Sequence, residues 1–298
     1  MNEAEQYLHH RFPETDAIKR SVIELSALDL SKISVEDLKD KINSCFPIIN
    51  FGEIMWDSRY HVFRVRRNEY NEFAPYNNIS EIGLAPADKT PFGRANNEFD
   101  PIFYGSHQGD LALFESNQNL PEYERFTPQN FTMGVWKVKA NETLRLAPLV
   151  DNDQVKTVRE DMVKVSEFSD QLYSKHLTSE KVIEGSRIIR KFFADQFAKS
   201  DIKSIHDYKI SAFYATTLKA FNALSRVKFD GILYPSVAYK YRTDNVAIFP
   251  QSLYKLEPIK CFSVISYNFD FEAGTLTKGI TAEGTVAENG DIKWVDRL

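Results

Sequence analysis

Cysteine is nearly absent from this chain of 298 residues, which holds only 2, Cys45 and Cys261. So low a count excludes a disulfide framework and a four-cysteine zinc site. No stretch approaches the roughly 20 consecutive apolar residues that a membrane-spanning helix needs. A basic excess is lacking as well, because 37 Lys+Arg stand against 42 Asp+Glu, a formal net charge of -5. That balance disfavours general binding to nucleic acid or to an anionic membrane surface, both of which draw on many lysines and arginines. The first residues, Met1-Asn2-Glu3-Ala4-Glu5-Gln6, have neither the basic start nor the apolar run of a secretory signal, and predict a cytoplasmic protein.

Several site signatures are missing too. None of the 12 glycines lies two positions from another, so no dinucleotide-binding G-x-G-x-x-G exists, and no Walker sequence is present. Among the 6 histidines no pair has metal-ligand spacing around a glutamate, and no metal is expected. A G-x-S-x-G nucleophile elbow is absent.

What is present is the composition of a folded domain, 43% hydrophobic and 27% charged. Residues 1–55 predict a helical N-terminal extension, from the near-3.6 recurrence of Ala17, Val22, Ile23 and Leu25 and the N-cap at Ser34. Tyr60 to Arg66 then alternates, Phe63 and Val65 on one face and Arg64 and Arg66 on the other, as a half-buried strand does. A loop from Asn68 to about Pro101 precedes a short strand over 101–106 and a helix opening at Leu111, with Asp110 as its cap. Strands are expected at 131–139 and 144–150, helices over about 151–225, and strands again at 231–234, 245–249 and 260–267. The glycines after Phe271 suggest short strands joined by turns. Strands, then helices, then strands predict an α+β fold rather than a doubly wound sheet. The expected division is residues 1–55 as the extension and 56–298 as one catalytic domain with a helical insertion at about 151–225.

Four features carry chemistry. Arg64 and Arg66 could grip a diphosphate if their face meets a cleft, since a guanidinium forks onto phosphate oxygens; a solvated sheet face is the alternative. Gly93-Arg94-Ala95-Asn96 places an arginine beside an amide in a loop. Tyr104, followed by a helix carrying Glu115, could bring a ring and a carboxylate to one pocket, the alternative being a surface glutamate on an amphipathic helix. Asp230 to Ser236 reads as a buried strand whose end presents a hydroxyl, or merely a serine stabilising a turn. Phosphate-binding arginines, an aromatic ring, a carboxylate and a hydroxyl together suit a nucleotide with a labile N-glycosidic bond.

In order and context, these segments resemble the RES domain family. The matching stretches are Phe63-Arg64-Val65, Gly93-Arg94-Ala95-Asn96, Phe103-Tyr104-Gly105-Ser106, Ala112-Leu113-Phe114-Glu115, Gly231 to Ser236 and Asn245 to Phe249. The resemblance implies an ADP-ribosyltransferase-like core of curved antiparallel sheets around a cleft for NAD. It also implies an NAD-consuming toxin of a bacterial toxin–antitoxin system, cleaving the nicotinamide–ribose bond by phosphorolysis or hydrolysis and held inactive by a cognate antitoxin protein. NAD would be the substrate, with inorganic phosphate as a second partner and no metal. Carried over by residue, Arg64, Glu115 and Ser236 would be catalytic, while Arg64, Arg94, Tyr104 and Ser236 would bind NAD. The sequence departs from the family at Ala95, where an aromatic is usual, and over 237–242, which lacks the usual glycines. Two alternatives remain open: transfer of ADP-ribose to a protein, and a nucleotide-binding or interaction module without chemistry. Many protein-directed transferases place Gln or Glu two positions before the catalytic glutamate, where this chain has Leu113.

Overall fold

Alternation in the sequence becomes sheet, and the 3.6 period becomes helix, with both kinds of element drawn from distant parts of the chain. A computed structural model describes residues 3–69, 72–73, 76–117, 120–176, 179–271 and 273–297. The helices are α1 (Glu3–Arg11), α2 (Thr15–Ser26), α3 (Val35–Cys45), α4 (Gly109–Asn117), α5 (Glu122–Arg125), α6 (Asp153–Val158), α7 (Glu160–His176), α8 (Glu180–Phe197) and α9 (Lys209–Leu224). The strands are β1 (Ile54–Trp56), β2 (His61–Arg67), β3 (Phe103–Ser106), β4 (Gln129–Val138), β5 (Leu144–Pro148), β6 (Gly231–Pro235), β7 (Asp244–Ile248), β8 (Leu256–Asp270), β9 (Thr275–Val286) and β10 (Ile292–Asp296). They make one 10-stranded, mostly antiparallel sheet in the order β1-β5-β6-β7-β3-β2-β4-β8-β9-β10. Strands from before and after the helical stretch are therefore neighbours, giving a mixed fold of helices and a mainly antiparallel sheet.

The chain forms two compact units. One comprises 1–54, 91–98 and 147–228; the other comprises 55–90, 99–146 and 229–298. In the first, α8 is the central element and touches α1, α2, α7 and α9. Its apolar side, including Phe192, Phe193 and Phe197, is buried with Phe12, Ile18 and Phe46 from the N-terminal helices, and Phe46 meets Phe192 edge-on at 5.5 Å. A Cβ at Gly185 would come within 2.4 Å of Phe12, so only glycine allows α8 that approach. The buried stripe of α2 is Ile18 and Leu25. Ile23, expected on that stripe, is exposed instead.

In the second unit, β2 packs its Phe63 and Val65 face against a core that includes Leu113, Phe114, Phe131, Met133, Val264 and Phe269. In the first unit Ser34 caps α3, accepting from the Asp37 amide, as expected. Asp110, expected as the cap of α4, lies inside its first turn, because the helix already opens at Gly109. The tail also differs from expectation: Gly279 and Gly284 lie within a single 12-residue strand, β9, while Gly274 and Gly290 take the positive φ of turns. Cross-strand pairing with β8 and β10 overrides the turn preference of the two interior glycines.

Candidate active site

β3 runs into α4 with only His107 and Gln108 between them, so residues of the strand and the helix are held in fixed relation. Leu113 and Phe114 are wholly enclosed in the core, which sets the rotation of α4 about its axis. That rotation leaves Glu115 half-buried. Its Oε1 accepts from the Ser236 hydroxyl at 2.5 Å and from Asn245 Nδ2 at 2.7 Å. The Ser106 hydroxyl in turn donates to Asn245 Oδ1 at 2.7 Å. Four side chains from β3, α4, β7 and the turn after β6 thus form one connected chain of hydrogen bonds. In a low-dielectric interior such networks polarise and rigidify their members.

Ser236 has 0% exposure. The turn that holds it is tight: the Tyr239 amide donates to its Oγ, the Tyr241 amide to its carbonyl, and its own amide to Thr243 O. Lys240 and Tyr241 take φ of +49° and +62° there. This is the left-handed region in which glycine is cheapest, and it falls within 237–242, where the sequence lacks glycines.

Arg64 leaves β2 on the face opposite Phe63 and Val65. Its Nε donates to Ile82 O and its Nη1 to Tyr104 O, both at 2.8 Å, and the guanidinium stands 5.3 Å from the centre of the Phe103 ring. Burial, with a smaller contribution from the Arg66 charge, lowers its pKa to about 10. The side chain still retains some exposure. A desolvated cation that solvent still touches is suited to a recess, where it can meet an anion without water's competition. Arg66 is exposed, bonded to Glu81 O and paired with Glu69 at 2.8 Å.

Tyr104 is half-buried, and by strand alternation it shares a face of β3 with Ser106. A Cβ at Gly105 would lie 2.3 Å from Val62 Cγ1, so the glycine between them is what lets β2 and β3 close up. Arg94 belongs to the other unit. Its guanidinium donates to Phe197 O at 2.8 Å and Lys199 O at 2.9 Å and lies over the Tyr208 ring. Glu115 and Ser236 therefore meet directly, and Arg64 is tied to the main chain of Tyr104. β3 joins these two pairs through Ser106.

Reasoning from sequence missed Ser106 and Asn245 as members of the site. Asn245 is the polar residue at the head of Val246-Ala247-Ile248, an odd choice for so buried a strand. Nothing in one sequence links it to a glutamate 130 positions away. A cavity of about 710 Å³ lies elsewhere in the same unit, lined by Arg125, Phe126, Asn268 and Phe271 among others, and it includes none of these residues. Among the described residues no group of three or more His, Cys, Asp or Glu could hold a metal. No helix among them is long and apolar enough to cross a membrane.

The family profile of the RES domain matches residues 61–271, which contain every residue of this cluster. The chain belongs to the RES domain family. RES proteins are linked in general to NAD-related toxin–antitoxin systems, which makes this chain, at that coarse level, an NAD-related enzyme. The RES match begins at the first residue of β2 and runs through the α6–α9 helices to the end of β8. It leaves out the three N-terminal helices. Among curated proteins nothing matches the chain.

Proposed function

We propose that the chain cleaves the nicotinamide–ribose bond of NAD on an ADP-ribosyltransferase-like core. The observation that carries this reading is the Glu115 carboxylate, fixed on one oxygen by Ser236 and Asn245. As the C1′–N bond breaks, its electron pair leaves with neutral nicotinamide and positive charge develops on the ribose. A preorganised carboxylate stabilises that charge without reorganising at the moment of reaction. Phosphate then adds at C1′ to give ADP-ribose-1″-phosphate, or water adds and loses a proton to give ADP-ribose. Nicotinamide leaves well without protonation, so the position and charge of Glu115 matter more than its strength as a base.

Arg64 takes the diphosphate with the donors that Ile82 and Tyr104 do not occupy, and the Tyr104 ring lies beside the nicotinamide or its ribose. Ser236 acts through Glu115, consistent with its full burial. Arg94 is assigned to holding residues 91–98 against the end of α8. The proposed setting is cytoplasmic, as the toxin of a toxin–antitoxin pair, with a cognate antitoxin protein closing the cleft. Leu113 weighs against transfer to a protein, because the position that carries Gln or Glu in many such transferases is a core leucine with 0% exposure.

The test is purified chain, free of any partner, incubated with NAD with and without phosphate while free nicotinamide is followed and the ribosyl product identified. Nicotinamide release that depends on Glu115 supports the reading, and folded protein inert in both conditions overturns it. Label from NAD appearing on a protein band in a lysate would favour the transferase instead.

A further inference from the structure

Of Ser236 and Asn245, the donors described on Glu115 Oε1, Asn245 is the one that can present the wrong end. A hydroxyl rotates to suit its partner, but an amide has a donor end and an acceptor end, and a flip of Asn245 would set Oδ1 against the carboxylate, acceptor to acceptor. The carboxylate, which only accepts, selects the donor end; what occupies the far end decides how firmly the amide is held in place. That occupant is Ser106, which stands directly opposite Asn245 in the β3–β7 register and donates to Oδ1 at 2.7 Å. Both residues are almost wholly enclosed, with 2% and 4% exposure. The pair is almost sealed from solvent, so the Ser106 donation anchors the amide at its far end and strengthens Nδ2–H as a donor to Glu115.

We propose that Ser106 is a positioning residue for the reaction, fixing the Asn245 amide so that it aims the Glu115 carboxylate at the ribose of NAD. The proposal rests on the reading of Glu115 given above. A purely structural pin between β3 and β7 would make a different prediction, since its loss would lower stability without separating kcat from KM.

The test compares Ser106→Ala and Ser106→Thr in nicotinamide release and solves the crystal structure of the alanine variant. Ser106→Cys keeps the volume with a weak donor, and replaces the alanine variant if that one does not fold. The expected result is a kcat lowered about tenfold to a hundredfold, the scale on which a misplaced catalytic group loses rate. KM for NAD should be unchanged, the threonine variant should recover most of the rate, and the Glu115 carboxylate should be turned away from Ser236 in the crystal. Wild-type kcat in Ser106→Ala, or equal losses of kcat and melting temperature in the alanine and threonine variants, would overturn the proposal. Wild-type chain that releases no nicotinamide contradicts the reading of the site instead; the crystal structure then decides on Ser106 alone, and an undisplaced Glu115 overturns its role.

Discussion

The hydroxyl of Ser236 and the carboxylate of Glu115 meet at 2.5 Å across 121 positions of sequence. This one bond ties the turn after β6 to α4. Ser236 itself is sealed from solvent, so in the proposed reaction it supports the glutamate.

Arg64 offers a test of phosphate binding with a defined pH dependence. With a pKa of about 10 it is a cation at neutral pH and loses its proton only as pH climbs through that value. KM for NAD should therefore stay flat with respect to this group from neutral to mildly alkaline pH, and a rise within that range would argue against Arg64 as the phosphate-binding cation. Arg64→Lys cannot hold both Ile82 O and Tyr104 O and still reach a phosphate. Losing one charge-assisted hydrogen bond, worth about 1.5–3 kcal/mol, should raise KM about tenfold or more. Steady-state kinetics against NAD concentration measures both effects, and an unchanged KM in the variant would remove Arg64 from the phosphate site.

Arg94 should behave differently. Truncation to alanine removes the Arg94 donors from the carbonyls of Phe197 and Lys199 at the end of α8, and the stability loss should be about 2–3 kcal/mol. KM for NAD should change little. Denaturant titration beside kinetics separates the two, and a variant of normal stability with a raised KM would return Arg94 to the diphosphate.

The turn after Ser236 stores strain at Lys240, an exposed residue with φ of +49°. Lys240→Gly relieves the left-handed penalty while adding freedom to the unfolded chain, for a net gain of about 0.5–1 kcal/mol. Chemical denaturation reads this directly. A loss of stability would mean that contacts of the lysine outweigh its strain.

The two cysteines report on the sheet. Burial pushes the Cys261 thiol up to about 12, whereas Cys45 is only half-buried. At about pH 8 Cys261 is protonated and enclosed, so an alkylating reagent should label native protein at Cys45 alone and denatured protein at both. Mass spectrometry counts the labels; rapid labelling of Cys261 in native protein would contradict its place between β4 and β9.

Much of the fold is written locally. The alternation around Phe63, Arg64 and Val65 predicts β2, and the apolar recurrence through Ile189, Phe192 and Phe193 predicts α8, because periodicity records which face is buried. Pairing is not local. Gly279 and Gly284 read as turns, yet lie in a long strand because β8 pairs with both and β10 holds Gly284 from the other side. The N-terminal helices and the later helical stretch look unrelated in sequence and share one core, since nothing short-range announces that Phe46 meets Phe192. At the site the pattern repeats. Glu115 and Ser236 are legible through the family resemblance; Ser106 and Asn245 lie in two of the stretches that carry it, but their partnership depends on the register of β3 with β7 and shows only in the fold.

The most direct measurement is nicotinamide release by the wild-type chain and by Glu115→Gln, side by side in phosphate buffer. Glutamine keeps an oxygen that can accept from Ser236 and Asn245, so the fold is preserved while the charge alone is removed. Wild type should turn over NAD, and kcat should be lower by about a hundredfold or more in the variant, the scale of removing one preorganised electrostatic partner. Its melting temperature should lie within about 2 °C of wild type, which at this chain length corresponds to about 1.3 kcal/mol. Equal turnover by both proteins, or none by folded wild type, would contradict the proposed role of Glu115.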